Sequence, residues 1–94
     1  MTRLLHPGEI LREEFMKPLG LTANALAKAC HTDRGQLEHI TRERRGIGAD
    51  TALRLSKYFG TSPEFWMNLQ DRYELERARD KIGNDLDEIE TRAA

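Results

Sequence analysis

Glycine and proline stand almost only at the joints of this chain. Of seven glycines and three prolines, all but Gly35 fall at Pro7-Gly8, Pro18 and Gly20, Gly46 and Gly48, Gly60 and Pro63, or Gly83. The stretches between them carry apolar residues at three- and four-residue spacing, and none keeps up the period-two alternation of a half-buried strand. Such a chain folds as short helices joined by tight turns, and five are expected. Pro7 suits the first position of helix one, which Pro18 and Gly20 end. Thr22 caps helix two, which stops near Cys30. Helix three runs from Thr32, as its cap, to Arg42. Ala49 to Phe59 is helix four, with Ala52, Leu53, Leu55, Tyr58 and Phe59 as its buried set and Gly60 as its terminator. Ser62-Pro63-Glu64 is a strong start signal for helix five, which reaches Ile82 before Gly83 stops it. Phe65, Trp66, Leu69 and Tyr73 on it read as core.

Ninety-four residues make one domain, here 1–83, followed by an acidic, partly ordered tail over 84–94. With 38% hydrophobic and 33% charged residues the chain is too apolar for disorder and too charged for a membrane protein. No apolar run approaches a membrane span, and the start, Met1 to Pro7, does not read as a signal peptide. A single cysteine, Cys30, excludes an internal disulfide framework and fits the reducing cytoplasm. His6, His31 and His39 lack metal-ligand spacing, and Cys30 beside His31 is no nucleophile–base pair by adjacency alone. No glycine-rich loop fits a nucleotide. An enzyme is therefore not expected, nor a metal, a cofactor or a small-molecule ligand.

Charge is unevenly spread. Residues 1–63 carry a net +3 and residues 64–94 a net −4. The first part suits phosphate and the second is repelled by it, although two solvated surfaces of unequal sign would look the same. Helices two and three, joined by a very short turn over about 22–42, fit a helix-turn-helix, whose second helix lies in the DNA major groove. Ala27 is the small residue where the helices cross. Leu37 and Ile40 bury one thin line of helix three, leaving Arg34, Gln36, Glu38 and His39 on its outer face.

Several separated blocks carry a family resemblance. They are His6-Pro7-Gly8-Glu9-Ile10-Leu11, Leu26-Ala27-Lys28, Arg45-Gly46-Ile47, Ala49-Asp50-Thr51-Ala52-Leu53-Arg54-Leu55, and Tyr58 through Gln70. In this order they resemble HigA-type antitoxins of the XRE (Cro-like phage-repressor) superfamily, over roughly residues 6–79. The resemblance implies an all-α, five-helix lambda-repressor-like DNA-binding domain with an extended C-terminal helix and a short acidic tail. It implies a homodimer that represses its own operon and neutralises a RelE/HigB-like mRNA-cleaving toxin. The alternative is a stand-alone XRE-family regulator, or an interaction module with no toxin partner. His31 stands where relatives carry glycine at the turn, and Arg42-Glu43 where they often carry Asn-Gly. Gly35 is unusual inside a reading helix, and Gly48 replaces a Ser or Thr before Ala49.

Gln36 can read adenine through two hydrogen bonds, or be an ordinary surface side chain. Arg34 can read guanine, clamp a phosphate, or simply pair with Glu38 one turn on. His39 is placed for a base or a phosphate, and Gly35 lets either approach closely. Thr22 and Asn24 can meet a phosphate at the start of helix two, alongside Thr22's capping role. Arg42, Arg44 and Arg45 are phosphate candidates; Arg45 has an alternative as an ion-pair partner within the fold. One reading helix touches few base pairs, so a two-fold dimer through the second face of helix five is expected, using Leu75, Ala78, Ile82 and Met67. A basic, RNA-gripping toxin would meet acidic surface: Glu9, Glu13 and Glu14 on helix one, or Asp71, Glu74 and the tail. Either acidic surface could instead serve only solubility.

Overall fold

The computed structural model describes residues 4–92. The reading of the chain start, which turns on Met1 to Arg3, and the last two tail residues lie outside them. All five expected helices are present. Helix α1 spans residues 7–19 as one rod in three windings: Pro7–Ile10, a π-wound stretch Leu11–Met16, and Lys17–Leu19. The others are α2 (Ala23–Cys30), α3 (Arg34–Thr41), α4 (Ala49–Phe59) and α5 (Pro63–Ile82), with a 3₁₀ stretch over Gly83–Glu88. Pro18 does not end α1. The helix passes through it to Gly20, whose φ of 64° stops the winding. The wider π turns lie just before Pro18, and there Lys17 N–H donates to the Arg12 carbonyl, five residues back. Proline has no N–H to give and its ring crowds the carbonyl four residues back, so a widened turn relieves both problems.

Caps set most of the remaining boundaries. His6 Nδ1 accepts from Gly8 N–H at 2.8 Å, Thr22 Oγ1 from Ala25 N–H at 3.1 Å, and Ser62 Oγ from Phe65 N–H at 3.1 Å. Asp33, not Thr32, caps α3, its carboxylate accepting from Gln36 N–H at 2.9 Å. An anion at that helix end also meets the positive pole of the backbone dipole.

The core lies where α1, α2, α3 and α4 converge on the first half of α5. Leu11, Leu26, Leu37, Ile40, Ile47, Leu55 and Trp66 are all but inaccessible. Phe15 sits 4.9 Å from the Trp66 ring and 5.0 Å from that of Phe59. Trp66 Nε1–H donates to Thr61 Oγ1 at 2.8 Å, so the buried indole has its partner. Helix α4 buries a different set from the one its apolar residues suggest. Thr51 and Ser56 are buried with Ala52 and Leu55, whereas Leu53 and Tyr58 are exposed and line an open groove with Ala29, Cys30 and His31. Ser56 Oγ is tolerated inside because it donates to the Leu53 carbonyl at 2.9 Å. Phe65 also lies at the surface, packed edge-on against Trp66.

Candidate nucleic-acid interface

Contacts from α1 hold α3, and one from α4 holds the turn that leads into it. At Gly8 the backbone of α1 comes so close that a Cβ there would lie 1.7 Å from the Ile40 carbonyl oxygen. Arg12 of α1 donates to the Thr41 carbonyl and lies 3.4 Å from the Glu43 carboxylate, tying α1 to the end of α3. Arg54 of α4 donates to the Cys30 and His31 carbonyls at 3.1 and 2.9 Å, while its Nε meets Asp50 at 2.7 Å. A cation on the last carbonyls of α2 opposes the negative end of that helix.

The turns on either side of α3 share one device. His31 has φ 54° and Glu43 φ 63°, both in the left-handed region. After α2, His31 N–H donates to the Lys28 carbonyl and Thr32 N–H to that of Ala27. After α3, Glu43 N–H donates to Ile40 and Arg44 N–H to His39. These are paired Schellman closures, each with its left-handed position filled by a residue other than glycine.

Arg34 and His39 are exposed, and so are Asn24 and Thr22. Arg34 Nε meets Glu38 at 2.7 Å, and this pair holds the Glu38 carboxyl below the ordinary range. The pair is exposed and worth only about 0.3–0.5 kcal/mol. Gln36 does not point freely outward. It is half-buried, and its Nε2 donates to Thr51 Oγ1 of α4 at 2.8 Å. The reason is position: Gln36 follows Gly35 in the first turn of α3, beside the opening turn of α4. Gly35 is not wide open either, since a Cβ there would sit 3.1 Å from Asp33 Oδ2.

Arg42, Arg44 and Arg45 are exposed on the loop after α3. No ion pair among the described residues engages them. Their loop is anchored from beneath, because Ile47 N–H donates at 2.7 Å to the buried amide oxygen of Gln70, whose nitrogen donates to Glu74. Arg44 and Arg45 share a cleft with Arg77, Glu43, Glu74 and the buried His6. Burial pushes the His6 pKa down, helped by Arg12 and Arg77 and opposed by Glu43.

Gly8, Thr51, Arg12, Arg54 and Gln70 escaped the sequence reading. Gly8 stood there as mere punctuation, and the others form contacts between residues 15 to 29 positions apart that no local pattern announces.

The helix-turn-helix family profile matches residues 13–66, and the chain is similar to several known proteins. Virulence-associated protein I of Dichelobacter nodosus is 57% identical over 74 residues, 79% of this chain and 68% of that one. Antitoxin HigA-1 of Vibrio cholerae is 34% identical over 74 residues, 79% of this chain and 70% of the relative. The chain belongs to the HigA-type XRE helix-turn-helix family. Among solved structures, the Pseudomonas aeruginosa antitoxin HigA with the higBA promoter superposes with a TM-score of 0.92 at 46% identity, covering 97% of this chain and all of that one. This HigA-type chain is thus an all-α, DNA-binding regulator by family, with a long C-terminal helix. Among the described residues no helix is long and apolar enough to cross a membrane.

Proposed function

We propose that the chain is the antitoxin of a type II toxin–antitoxin system: a dimer that represses its own operon through α3 and neutralises a RelE/HigB-like toxin. The observation that carries the DNA part is the exposed Arg42, Arg44 and Arg45 on an anchored loop directly after a clamped two-turn helix. That arrangement offers cations to the backbone while α3 lies against base edges. The solved Pseudomonas HigA, bound to promoter DNA, supports it. In this reading Arg34, Gly35, Gln36 and His39 face bases, and Thr22, Asn24, Arg42, Arg44 and Arg45 face phosphates.

Dimerisation uses the outer half of α5, where Leu75, Ala78 and Ile82 are exposed. Met67 contributes less, because it packs against the protomer's own core. The toxin contacts α1 through Glu9, Glu13 and Glu14. Glu13 already pairs with Arg12 and Lys17 at 2.8 Å, so Glu14 is the freer of these two carboxylates to meet an incoming basic surface.

The test is gel retardation on the chain's own upstream region, with co-purification of the adjacent gene product. Arg44→Ala should weaken binding to every duplex and reduce the salt slope by about one unit, whereas Gln36→Ala should cost about 1–3 kcal/mol only on the specific site. Operator affinity unmoved by both changes refutes the docking mode. A chain that retards DNA but retains no neighbour, with α1 charges intact, is a stand-alone regulator instead.

A further inference from the structure

Among the described residues, helix α4 reaches the side chains of the reading helix through the bond from Gln36 Nε2 to Thr51 Oγ1. We infer that Thr51 is a positioning residue that fixes the Gln36 carboxamide and thereby sets base preference at the position Gln36 faces. The inference rests on the proposal that α3 reads bases.

A glutamine side chain on a helix surface has three flexible torsions and surrenders that freedom when it docks on a base. Here the ordering is done before DNA arrives. The partner residue, Thr51, is 2% exposed, and it sits in the first turn of a helix that packs on the core through Ala52 and Leu55. Reading adenine takes one amide N–H, given to N7, and the amide oxygen, which accepts from N6. The carboxamide has two N–H groups. With one held by Thr51, the other and the oxygen remain as a donor–acceptor edge of fixed order, the edge that adenine complements. Gly35, the preceding residue, brings no side chain to crowd that edge.

The experiment starts from an operator duplex that the wild-type chain selects from a random pool. Binding is then measured on single-base variants of that duplex at fixed salt. The proteins are wild type, Gln36→Ala, Thr51→Val, Thr51→Ser and the double variant Gln36→Ala/Thr51→Val. Thr51→Val keeps the shape and removes the hydroxyl. It should reduce discrimination roughly 2- to 12-fold, the equilibrium equivalent of one net intramolecular hydrogen bond, at the single position where Gln36→Ala abolishes it. The salt slope should not change, Thr51→Ser should restore discrimination, and the valine should add nothing in the Gln36→Ala background. A loss spread evenly over all positions, or one that persists in the Gln36→Ala background, overturns the inference and leaves Thr51 a packing residue. If Gln36→Ala itself alters discrimination nowhere, base readout by Gln36 fails first and the role of Thr51 falls with it. Thermal melts of each variant identify any that lose binding by unfolding, and an unfolded Thr51→Val together with a Thr51→Ser that binds without discrimination also counts against the inference.

Discussion

Replacing Gly8 by alanine would put a methyl carbon 1.7 Å from the carbonyl oxygen of Ile40 and 3.0 Å from the His6 Nδ1 that caps α1. Real Cβ atoms essentially never come within 3.0 Å of such a neighbour, so the two helices must part by about 1.3 Å, the difference between 3.0 and 1.7 Å. Neither obstacle is the loose end of a flexible side chain. One is helix backbone, and the other is already bonded to Gly8 N–H. Overpacking of a closed interior costs about 1–3 kcal/mol, and a backbone obstacle places this change at the upper end. Alanine's better helix propensity returns at most about 1 kcal/mol. The net loss is then about 2 kcal/mol or more, which lowers the melting temperature of a domain this size by roughly 8–16 °C. Because the obstacle belongs to α3, operator affinity should fall even at temperatures where the variant is folded. The assay is thermal unfolding by circular dichroism, followed by DNA binding well below the transition. Gly35→Ala is the control: its methyl meets only Asp33 Oδ2 at 3.1 Å, so it should change stability by less than about 1 kcal/mol. A Gly8→Ala protein that melts as the wild type does and binds DNA equally well would show that α1 does not press on α3 as described.

Three further outcomes follow from the same contacts. His31→Gly should be neutral or stabilising by up to about 1 kcal/mol, because glycine takes φ 54° without a Cβ penalty; a clear loss in urea denaturation would contradict the strained-turn account. Neutral His6 caps α1 and its folded pKa is lowered, so its contribution to stability is complete above about pH 6.5 and is lost as pH falls toward the folded value. His6→Asn keeps a capping acceptor without a titrating ring, so its stability should fall less than that of the wild type between pH 7.5 and 5.5; parallel losses would remove His6 from the explanation. Leu75→Glu should lower dimerisation and operator affinity together, and sedimentation showing an unchanged dimer would move the interface elsewhere.

Local physics made most of the fold legible. The start of α5 at Ser62-Pro63 and the ends of α2, α4 and α5 lie where capping chemistry places them, and Leu37 and Ile40 form the buried line of α3 as their spacing requires. The errors have specific causes. Thr32 and Asp33 are both good caps, and only the register of α3 decides between them. Pro18 is normally a helix breaker, and a π-wound turn absorbed it. Leu53 and Tyr58 are apolar yet exposed, because α4 turns its Thr51–Leu55 face inward and satisfies its hydroxyls with hydrogen bonds. The candidate site was legible as a list of residue types but not as a mechanism. Gln36 reads as an outward side chain until Thr51, fifteen residues away, is seen to hold it.

Helix α5 divides into two halves with different fates under hydrogen exchange. Its first half carries Trp66 and Gln70 into the core, so amides there open only when the whole domain does. From Glu74 to Ile82 almost every residue is exposed, with Glu76 the exception. A helical stretch that short gains little from its own hydrogen bonds, so in a lone protomer its amides exchange through fraying from the Gly83 end. Pairing with a second copy would close that route by mass action. Protection at Leu75 through Ile82 should therefore rise with protein concentration while protection around Trp66 stays constant, which makes this half-helix a residue-by-residue reporter of assembly.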